Sequence, residues 1–447
     1  MENDTARSLL DDLLARAKAK GADAADAMIV NGIALSHADR LGKTEMLERS
    51  EGRDLGLRVF FGKRQAMVSS NDWERQTLDD LVERAVAMAK AVPEDQYCGL
   101  ADPDQLFRGT VVDLDIFDPD EPSAETLIAR ARTTEAAARD VPGVTNSEGA
   151  EASWSSTSVL LAASNGFSGG YAVSRHGIGV SVIAGEGSGM ESDYEFSSTV
   201  HGADLDDPAA IGRAAGERTV KRLNPRKGPT VKVPVVYDPR VSNGLIGHLA
   251  SAINGASIAR GTSFLKDAMD TKVFADGIAI IDDPHRLRGL RSKPFDAEGL
   301  ANDAMNLIED GVLTRWVLDL RASRQLGLDS TGRASRGVSG PPSPATTNLY
   351  MAPGRLTPAE LMDDIKSGFY ITGLMGFGID GLTGDYSRGA SGFWIEDGEI
   401  TYPVSEMTIA GNLKDMFATL TPADDLNFRY GTNAPTVRVE GMTVAGA

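Results

Sequence analysis

Residues 233–265 decide the fold of the C-terminal half of the chain; they read VPVVYDPRVSNGLIGHLASAINGASIARGTSFL. The alternation at the start predicts a short buried strand, and Asp238-Pro239 predicts the turn from which a helix begins. That helix carries one histidine, His248, and ends in a stretch punctuated by Gly255 and Gly261. The functional interpretation therefore depends on which side chains this helix carries.

The best domain boundary lies immediately before this unit, at residues 224–230 (NPRKGPT). Proline, glycine and charge occur there together, and a buried strand follows. A chain of 447 residues is also too long for one ordinary hydrophobic core. We predict an α+β protein of two domains, with residues 1–223 in the first, a linker at 224–230, and residues 231–447 in the second.

The first domain is predicted to contain a broad antiparallel sheet, because several short segments alternate between apolar and polar residues. Gly62-Lys63 is a hairpin signal, and Ser123 is a plausible N-cap for a helix that runs to about Arg139. The clearest alternating segments are Ser156–Ala163, Tyr171–Ser181 and Glu191–Val200.

Three segments of the second domain carry specific expectations. Val312–Leu320 resembles a strand. Thr357 is a good helix start, with Pro358 in the first turn and Glu360 three residues on. Asp329–Thr346, which is rich in Gly, Ser and Pro, is predicted to be an ordered or mobile loop.

Charge and cysteine content exclude several functional classes. The net charge of −19 repels nucleic-acid phosphates. No stretch is both long and apolar enough to span a membrane. The single cysteine, Cys98, excludes an intrachain disulfide framework and fits a reducing compartment. We expect a cytoplasmic protein that binds neither nucleic acid nor membrane.

The histidines do not form a recognisable zinc motif. Helical zinc sites of hydrolases place two histidines and a carboxylate on one helix face. The chain has five histidines, and no two have that spacing. His248 is alone on its helix, with no acidic residue from Gly244 to Arg260. The histidines could still converge in space, which spacing alone does not test.

The densest polar cluster is Asp380–Gly392, DGLTGDYSRGASG. It is interpreted either as a surface hairpin loop or as a loop whose exposed backbone lines a peptide groove. The candidate groove residues, none of them assigned a catalytic role, are His248, Asp385, Tyr386, Ser387 and Arg388.

Four long motifs, in the same order, resemble the PmbA/TldE branch of the TldD/PmbA family, whose older label is "modulator of DNA gyrase". They are MESDYEFS (190–197), DPRVSNGLIGHLASAINGASIARGTSFL (238–265), SGPPSPATTNLYMAPG (339–354) and TGDYSRGASGFWIEDGEITYPVSEMTIAGNL (383–413). The resemblance implies a cytosolic two-domain protein, the second domain being a barrel-like or sheet-rich peptidase-family domain. It also implies a zinc peptidase built from a TldD-type and a TldE-type chain that acts on unstructured peptides.

The resemblance implies that this chain does not bind the catalytic zinc. TldD-type chains carry His-Glu-x-x-x-His on the corresponding helix, where this chain has Ile246, Gly247 and Ser251. They also supply a cysteine ligand near the C-terminus, where this chain has Tyr430-Gly431-Thr432-Asn433. No metal or other cofactor is expected in this chain, and zinc is expected on a TldD-type partner.

Our hypothesis is a non-catalytic or accessory subunit of a cytoplasmic zinc peptidase, paired with a TldD-type chain or with a second copy of itself. Asp380–Gly392 and Asp329–Thr346 would help to line a cavity that holds an unstructured peptide as an added β-strand. Two alternatives remain: a stand-alone hydrolase that depends on His248 or Asp385, and a regulatory binding protein that acts on DNA gyrase.

Overall fold

A computed structural model describes residues 3–446. Eight α-helices lie in this range, most of them in the N-terminal half or within residues 239–259. They are α1 (Asn3–Ala19), α2 (Arg75–Ala91), α3 (Ala124–Arg139), α4 (Pro208–Lys221), α5 (Pro239–Ala252), α6 (Gly255–Ala259), α7 (Leu320–Leu326) and α8 (Leu413–Ala418).

The same range contains long strands in both halves and several two-residue strands in the C-terminal half. They are β1 (Ala24–Arg40), β2 (Lys43–Phe61), β3 (Arg64–Ser70), β4 (Val144–Ala163), β5 (Ser168–Ala184), β6 (Glu191–Thr199), β7 (Val231–Tyr237), β8 (Ile280–Asp283), β9 (Met305–Glu309), β10 (Val312–Leu313), β11 (Ala334–Ser335), β12 (Ser343–Pro344), β13 (Asn348–Met351), β14 (Ser367–Met375), β15 (Asp385–Glu396), β16 (Glu399–Asn412), β17 (Thr421–Pro422), β18 (Thr432–Asn433) and β19 (Val437–Gly446).

The N-terminal half is a six-stranded antiparallel sheet, which confirms the predicted broad sheet. Its order is β3-β2-β1-β4-β5-β6, so β6 forms one edge. Helices α1 to α4 cover one face. On β1, for example, Ile29 packs with α1 and α2, whereas Leu35 on the same face packs with α3 and α4. The predicted N-cap is also confirmed, because the Ser123 hydroxyl accepts the Thr126 N–H at 3.2 Å.

The other face of this sheet packs against the C-terminal half. Met28 and Leu161 from the sheet share a buried cluster with Phe295 and Leu300. At Gly56 the two backbones approach so closely that a Cβ atom would lie 2.2 Å from the carbonyl oxygen of Val338. The sheet is therefore sandwiched between its own helices and the second half of the chain.

The C-terminal half contains a closed five-stranded barrel. Its order is β16-β15-β14-β7-β19, and pairing of β16 with β19 closes the ring. The β7–β14 pair is parallel and the other pairs are antiparallel. A separate small sheet has the order β10-β9-β8-β13-β18. The predicted α+β class and the barrel-like second half are confirmed.

Helix α5 forms as the sequence predicts. The Asp238 carboxylate accepts the Arg240 N–H at 2.9 Å, and Pro239 occupies the first turn. The apolar face of the helix is then buried in the largest core cluster of the chain through Leu245, Ile246 and Leu249. One face of α5 is thereby fixed against the core, and the other determines what the helix can bind.

Two predicted elements of this half are wrong. Only Val312–Leu313 forms a strand within 312–320, because the Val317 N–H bonds to the Ile253 carbonyl at the end of α5 rather than to a sheet. At Thr357 the capping contacts form, with the Glu360 N–H 3.2 Å from the threonine hydroxyl, but turns follow instead of a helix. The chain there has only a few residues before β14 begins at Ser367.

The division at residues 224–230 stays a prediction. The largest buried cluster is formed by residues between Val233 and Val444, while two further clusters are formed by residues between Ala6 and Ala215. Within residues 3–446, none of the helices is both long and apolar enough to cross a membrane.

Candidate functional site around helix α5 and strand β15

Three of the five candidate groove residues come together where α5 meets β15. The His248 ring lies edge-on to the Tyr386 ring, with centroids 5.9 Å apart. Arg388 is close enough that its positive charge disfavours protonation of His248. Burial, with Arg388 second, lowers the pKa of His248 to about 4, so the imidazole is neutral at pH 7.

The other two candidates point away from this group. Successive residues of a strand face opposite sides, and Asp385 and Ser387 lie on the exposed side of β15. The Asp385 carboxylate accepts hydrogen bonds from Thr383 at 2.8 Å and from Asn412 at 3.0 Å, and these bonds lower its pKa. Asp385 therefore fastens the strand to its neighbours and does not face His248.

The interpretation of Asp380–Gly392 as a loop is wrong from Asp385 onward, because these residues belong to the barrel strand β15. Tyr386 is 2% exposed and Tyr237, on β7, is fully buried. Burial raises the pKa of both phenols. These side chains are buried barrel residues, and the glycine-rich loop is confined to the preceding segment.

The face of α5 that points away from the core carries no set of metal ligands. Ile246 is fully buried. At Gly247 a Cβ atom would point into open space, with no atom of another element of residues 3–446 within 4 Å. The Ser251 hydroxyl donates to the Gly247 carbonyl of its own helix at 3.0 Å. In the part of the chain that the structure describes, no three His, Cys, Asp or Glu side chains are arranged to hold a metal ion.

In the segment Tyr430-Gly431-Thr432-Asn433, the side-chain amide of Asn433 has a structural role. The Asn433 side-chain oxygen accepts the N–H groups of Arg429 and Tyr430 at 3.0 and 2.9 Å. Its amide nitrogen donates to the Tyr430 carbonyl at 2.8 Å. The donor chemistry of this segment and of α5 does not fit a zinc ion.

The segment Asp329–Thr346 is an ordered loop around a buried ion pair. Arg333 is fully buried and pairs with Asp282, also fully buried. The same guanidinium donates to the Asp303 carbonyl at 2.6 Å, and Asp282 accepts the Thr347 N–H at 2.6 Å. Asp282, on β8, thereby ties Arg333 near the start of this loop and Thr347 just after its end to the small sheet.

Sequence reasoning missed a set of ion pairs along the edge strand β6. Asp193 pairs with Arg240 at 2.8 Å, and Glu195 pairs with Arg429 at 2.5 Å. The two arginines also donate to the outward carbonyls of Tyr194 and Phe196. The alternating acids of the 190–197 motif were the available signal, but their partners lie 47 and 234 residues away.

A groove of about 500 Å³ lies next to these pairs. Ser197, Ser198 and Thr199 form one side, and Asn427 and Phe428 lie on the other. Along an edge strand, the backbone N–H and C=O groups of every second residue point away from the sheet. Those of Ser198 therefore point outward, as those of Tyr194 and Phe196 do. The groove therefore contains a stretch of β6 edge beyond the two arginines.

Comparison with known proteins places the whole chain in one group of relatives. Three family models match, described as the PmbA/TldA metallopeptidase domain 1 at residues 31–89, central domain at 117–223 and C-terminal domain at 230–446. The metalloprotease PmbA of Escherichia coli O157:H7 is 37% identical over 97% of this chain and 94% of its own length. A metalloprotease PmbA homolog of Haemophilus influenzae is 34% identical over 96% of this chain and 93% of its own.

Solved structures share the complete fold. A Bacteroides thetaiotaomicron protein, named as a proposed modulator of DNA gyrase, superposes with a TM-score of 0.92 at 25% identity and with full coverage of both chains. TldE of Thermococcus kodakarensis superposes with a TM-score of 0.87 at 20% identity, covering 98% of this chain and 100% of that one.

Proposed function

Because the chain belongs to the PmbA/TldD metallopeptidase family, we propose that it is a TldE-type accessory subunit of a cytoplasmic zinc peptidase. The zinc belongs to a TldD-type partner chain, and this chain helps to hold an unstructured peptide. A second copy of this chain takes the place of the partner when none is present.

The donor chemistry of α5 carries this proposal. Zinc sites of hydrolases need three protein ligands, usually His, Asp, Glu or Cys. The α5 positions that correspond to the two histidine ligands of TldD-type chains are a core isoleucine and a serine bonded to its own helix, and the position of their carboxylate is a glycine. The neighbouring His248 is turned toward Tyr386 and Arg388. A partner chain must therefore supply the metal.

An exposed apolar loop supports association with a partner. The loop at residues 376–384, between β14 and β15, carries Phe377, which is 99% exposed, and Leu382, which is 61% exposed. Its Gly381 carbonyl accepts the N–H of Phe264, which places it just beyond α6, the helix that follows α5. Large apolar side chains that are clustered and uncovered commonly mark protein interfaces. We assign this loop to the contact with the TldD-type chain.

The groove beside β6 supports a peptide-holding role. A peptide that pairs with the edge at Ser198 would gain main-chain hydrogen bonds without sequence preference. Upstream, the N–H groups of Tyr194 and Phe196 donate to Asp193 and Glu195 at 2.8 Å. Because side chains already accept the backbone N–H groups of that part of the edge, a peptide can pair with the strand only within the groove. The sheet edge, rather than residues Asp385–Arg388, is therefore our proposed peptide-holding surface.

Cleavage of an unfolded peptide tests the proposal. The pure chain, a TldD-type chain and their mixture are each incubated with a fluorogenic unstructured peptide. We expect no hydrolysis by this chain alone and the fastest hydrolysis by the mixture. Hydrolysis by the pure chain that is lost in His248→Gln or Asp385→Asn would instead establish the stand-alone hydrolase. Capture of DNA gyrase without any peptidase partner would favour the regulatory alternative.

A further inference from the structure

One edge of the N-terminal sheet is bare over part of its length. Strand β2 pairs with β1 throughout, whereas β3 pairs with β2 only from Leu55 onward. The segment Met46–Asp54 (MLERSEGRD) therefore forms an open strand edge, on the side of the sheet opposite to β6. All of its side chains except that of Met46 are exposed, including Leu47 at 50%.

Four residues of this bare edge turn their backbone outward. The Phe60 carbonyl accepts the Asp23 N–H at 3.0 Å, so the backbone of Phe60 faces β1. This direction alternates along a strand, and the register with β1 is unbroken from Met46 to Phe60. Even-numbered residues therefore face β1 and odd-numbered residues face away from it. Within residues 3–446, no hydrogen bond occupies the outward N–H and C=O groups of Leu47, Arg49, Glu51 and Arg53.

The bare edge lacks the protection that the opposite edge has. On β6, Arg240 and Arg429 donate to outward carbonyls. The segment Met46–Asp54 has no proline, and the bulge of β2 lies beside it, at the position paired with Ala38 and Asp39. Charged side chains deter a second strand only where like charges oppose one another. The charge pattern therefore decides which strand can pair here.

We propose that this edge pairs with the same edge of a second copy of the chain, antiparallel and centred on Ser50. Ser50 is the midpoint of the bare segment, so this register pairs its whole length. Arg49 then lies opposite Glu51 of the second copy, and Leu47 lies opposite Arg53. These residues all face outward, so the four pairs around the twofold axis exchange about eight backbone hydrogen bonds.

The charge pattern selects this register. Moving the centre by one residue would place Arg49 opposite Arg49, or Glu51 opposite Glu51, and like charges that are directly opposed are destabilising. In the Ser50 register no like charges are opposed, because the remaining pairs are Glu48 with Gly52 and Met46 with Asp54. Arg49 already pairs with its own Glu51 at 3.1 Å and with Glu121. The side chains thus specify the register, and the backbone bonds supply the affinity.

This contact goes beyond the function proposed above. It uses residues of the first half of the chain, whereas the TldD-type chain is assigned to the loop around Phe377. It joins two copies of this chain whether or not that partner is bound.

Reversal of one charge at a time tests the contact by analytical ultracentrifugation. We expect the wild type to form a reversible dimer between about 1 and 100 µM. Arg49→Glu and Glu51→Arg should each weaken self-association by at least about tenfold. An equimolar mixture of the two variants should recover wild-type affinity, because each carboxylate of one variant then meets an arginine of the other. Lys366→Glu, which changes an exposed residue outside β2 by the same charge, should dimerise as the wild type does.

A disulfide tests the register directly. In the proposed dimer Ser50 lies opposite Ser50 in a pair without hydrogen bonds, where the Cα atoms are about 4.5 Å apart, within reach of a disulfide. Ser50→Cys should therefore form a covalent dimer rapidly on mild oxidation with copper phenanthroline. Glu48→Cys is the matched control, since its two copies would lie about 14 Å apart. The native Cys98 is 4% exposed and does not compete.

A wild-type chain that stays monomeric at about 100 µM would overturn the proposal. So would equally fast disulfide formation by Ser50→Cys and Glu48→Cys. A dimer that survives Arg49→Glu but is lost in Phe377→Ser would place self-association at the apolar loop and would also overturn it. These outcomes leave the accessory role untouched, because peptide cleavage with a TldD-type chain tests that role separately.

Discussion

The His248 imidazole lies edge-on against the ring of Tyr386, with 5.9 Å between the ring centroids. It is the single histidine of α5, and it faces an aromatic ring and an arginine. Both burial and the charge of Arg388 oppose its protonation. The lone histidine on this helix is thus held as a neutral packing group.

The first prediction concerns the pH dependence of folding stability at His248. Its pKa is about 4 when folded, against an unfolded value near 6.5. As the pH falls, His248 is therefore protonated in the unfolded chain before it is protonated in the folded one. The contribution of neutral His248 to the unfolding free energy is complete above about pH 6.5 and is lost as the pH falls toward 4. Between pH 7 and pH 5 the wild-type protein should lose up to about 2 kcal/mol of unfolding free energy through protonation of His248. The His248→Gln variant should not show this loss. Urea unfolding at both pH values measures this, and an NMR titration of His248 near pH 6.5 would contradict it.

The second prediction concerns the contact between Gly56 and Val338. A Cβ atom at Gly56 would lie 2.2 Å from the Val338 carbonyl oxygen, so one backbone must move. We expect Gly56→Ala to destabilise the protein by about 1–3 kcal/mol. Gly52→Ala in the same strand is the control, because its nearest neighbour is a flexible Asp54 side-chain atom at 4.0 Å. Equal melting temperatures for the two variants would show that the halves do not meet at Gly56.

The third prediction concerns the buried pair of Arg333 and Asp282. Replacing Arg333 with leucine leaves a fully buried carboxylate without its cation and releases the 329–346 loop. The expected loss is about 3–5 kcal/mol of unfolding free energy. Lys366→Ala removes an exposed pair with Asp397 and should cost less than about 1 kcal/mol. Chemical denaturation compares the variants, and a similar cost for both would refute a structural role for Arg333.

The fourth prediction concerns partner binding through the apolar loop. Phe377→Ser removes the most exposed large apolar side chain of the described residues, so it should weaken association with a TldD-type chain by at least about tenfold. Leu287→Ser is the control, since Leu287 is 67% exposed but lies outside the loop. Analytical ultracentrifugation of each mixture gives the dissociation constants. If Phe377→Ser bound the TldD-type chain with the affinity of the wild type, the loop would not be part of the interface.

Local signals predicted α5 well, whereas the barrel depended on contacts that are distant in sequence. Asp238 and Pro239 predict the start of α5 because a cap and a first-turn proline act within a few residues. The first part of β15, from Asp385 to Gly392, resembles a loop in sequence because its polar residues are flanked by glycines, whereas the sequence predicts a strand over Gly392–Glu396. At Gly392, however, a Cβ atom would lie 2.0 Å from the Tyr370 carbonyl oxygen. Glycine there permits close packing of two strands.

The ion pairs along β6 could not be predicted for a related reason. Asp193 and Glu195 alternate on a strand, which is compatible with solvent exposure. Their partners Arg240 and Arg429 come from distant parts of the C-terminal half. Which arginine reaches which acid depends on how the barrel and the sheet pack, and a short sequence motif carries no such information.

The zinc content of the purified chain, measured by mass spectrometry alone and after mixing with a TldD-type chain, tests the central claim most directly. We predict no bound zinc on the lone chain and about one zinc ion per pair in the mixture. Stoichiometric zinc on the lone chain would contradict the accessory role, because side chains outside the α5 positions 246, 247 and 251 would then have to hold the metal.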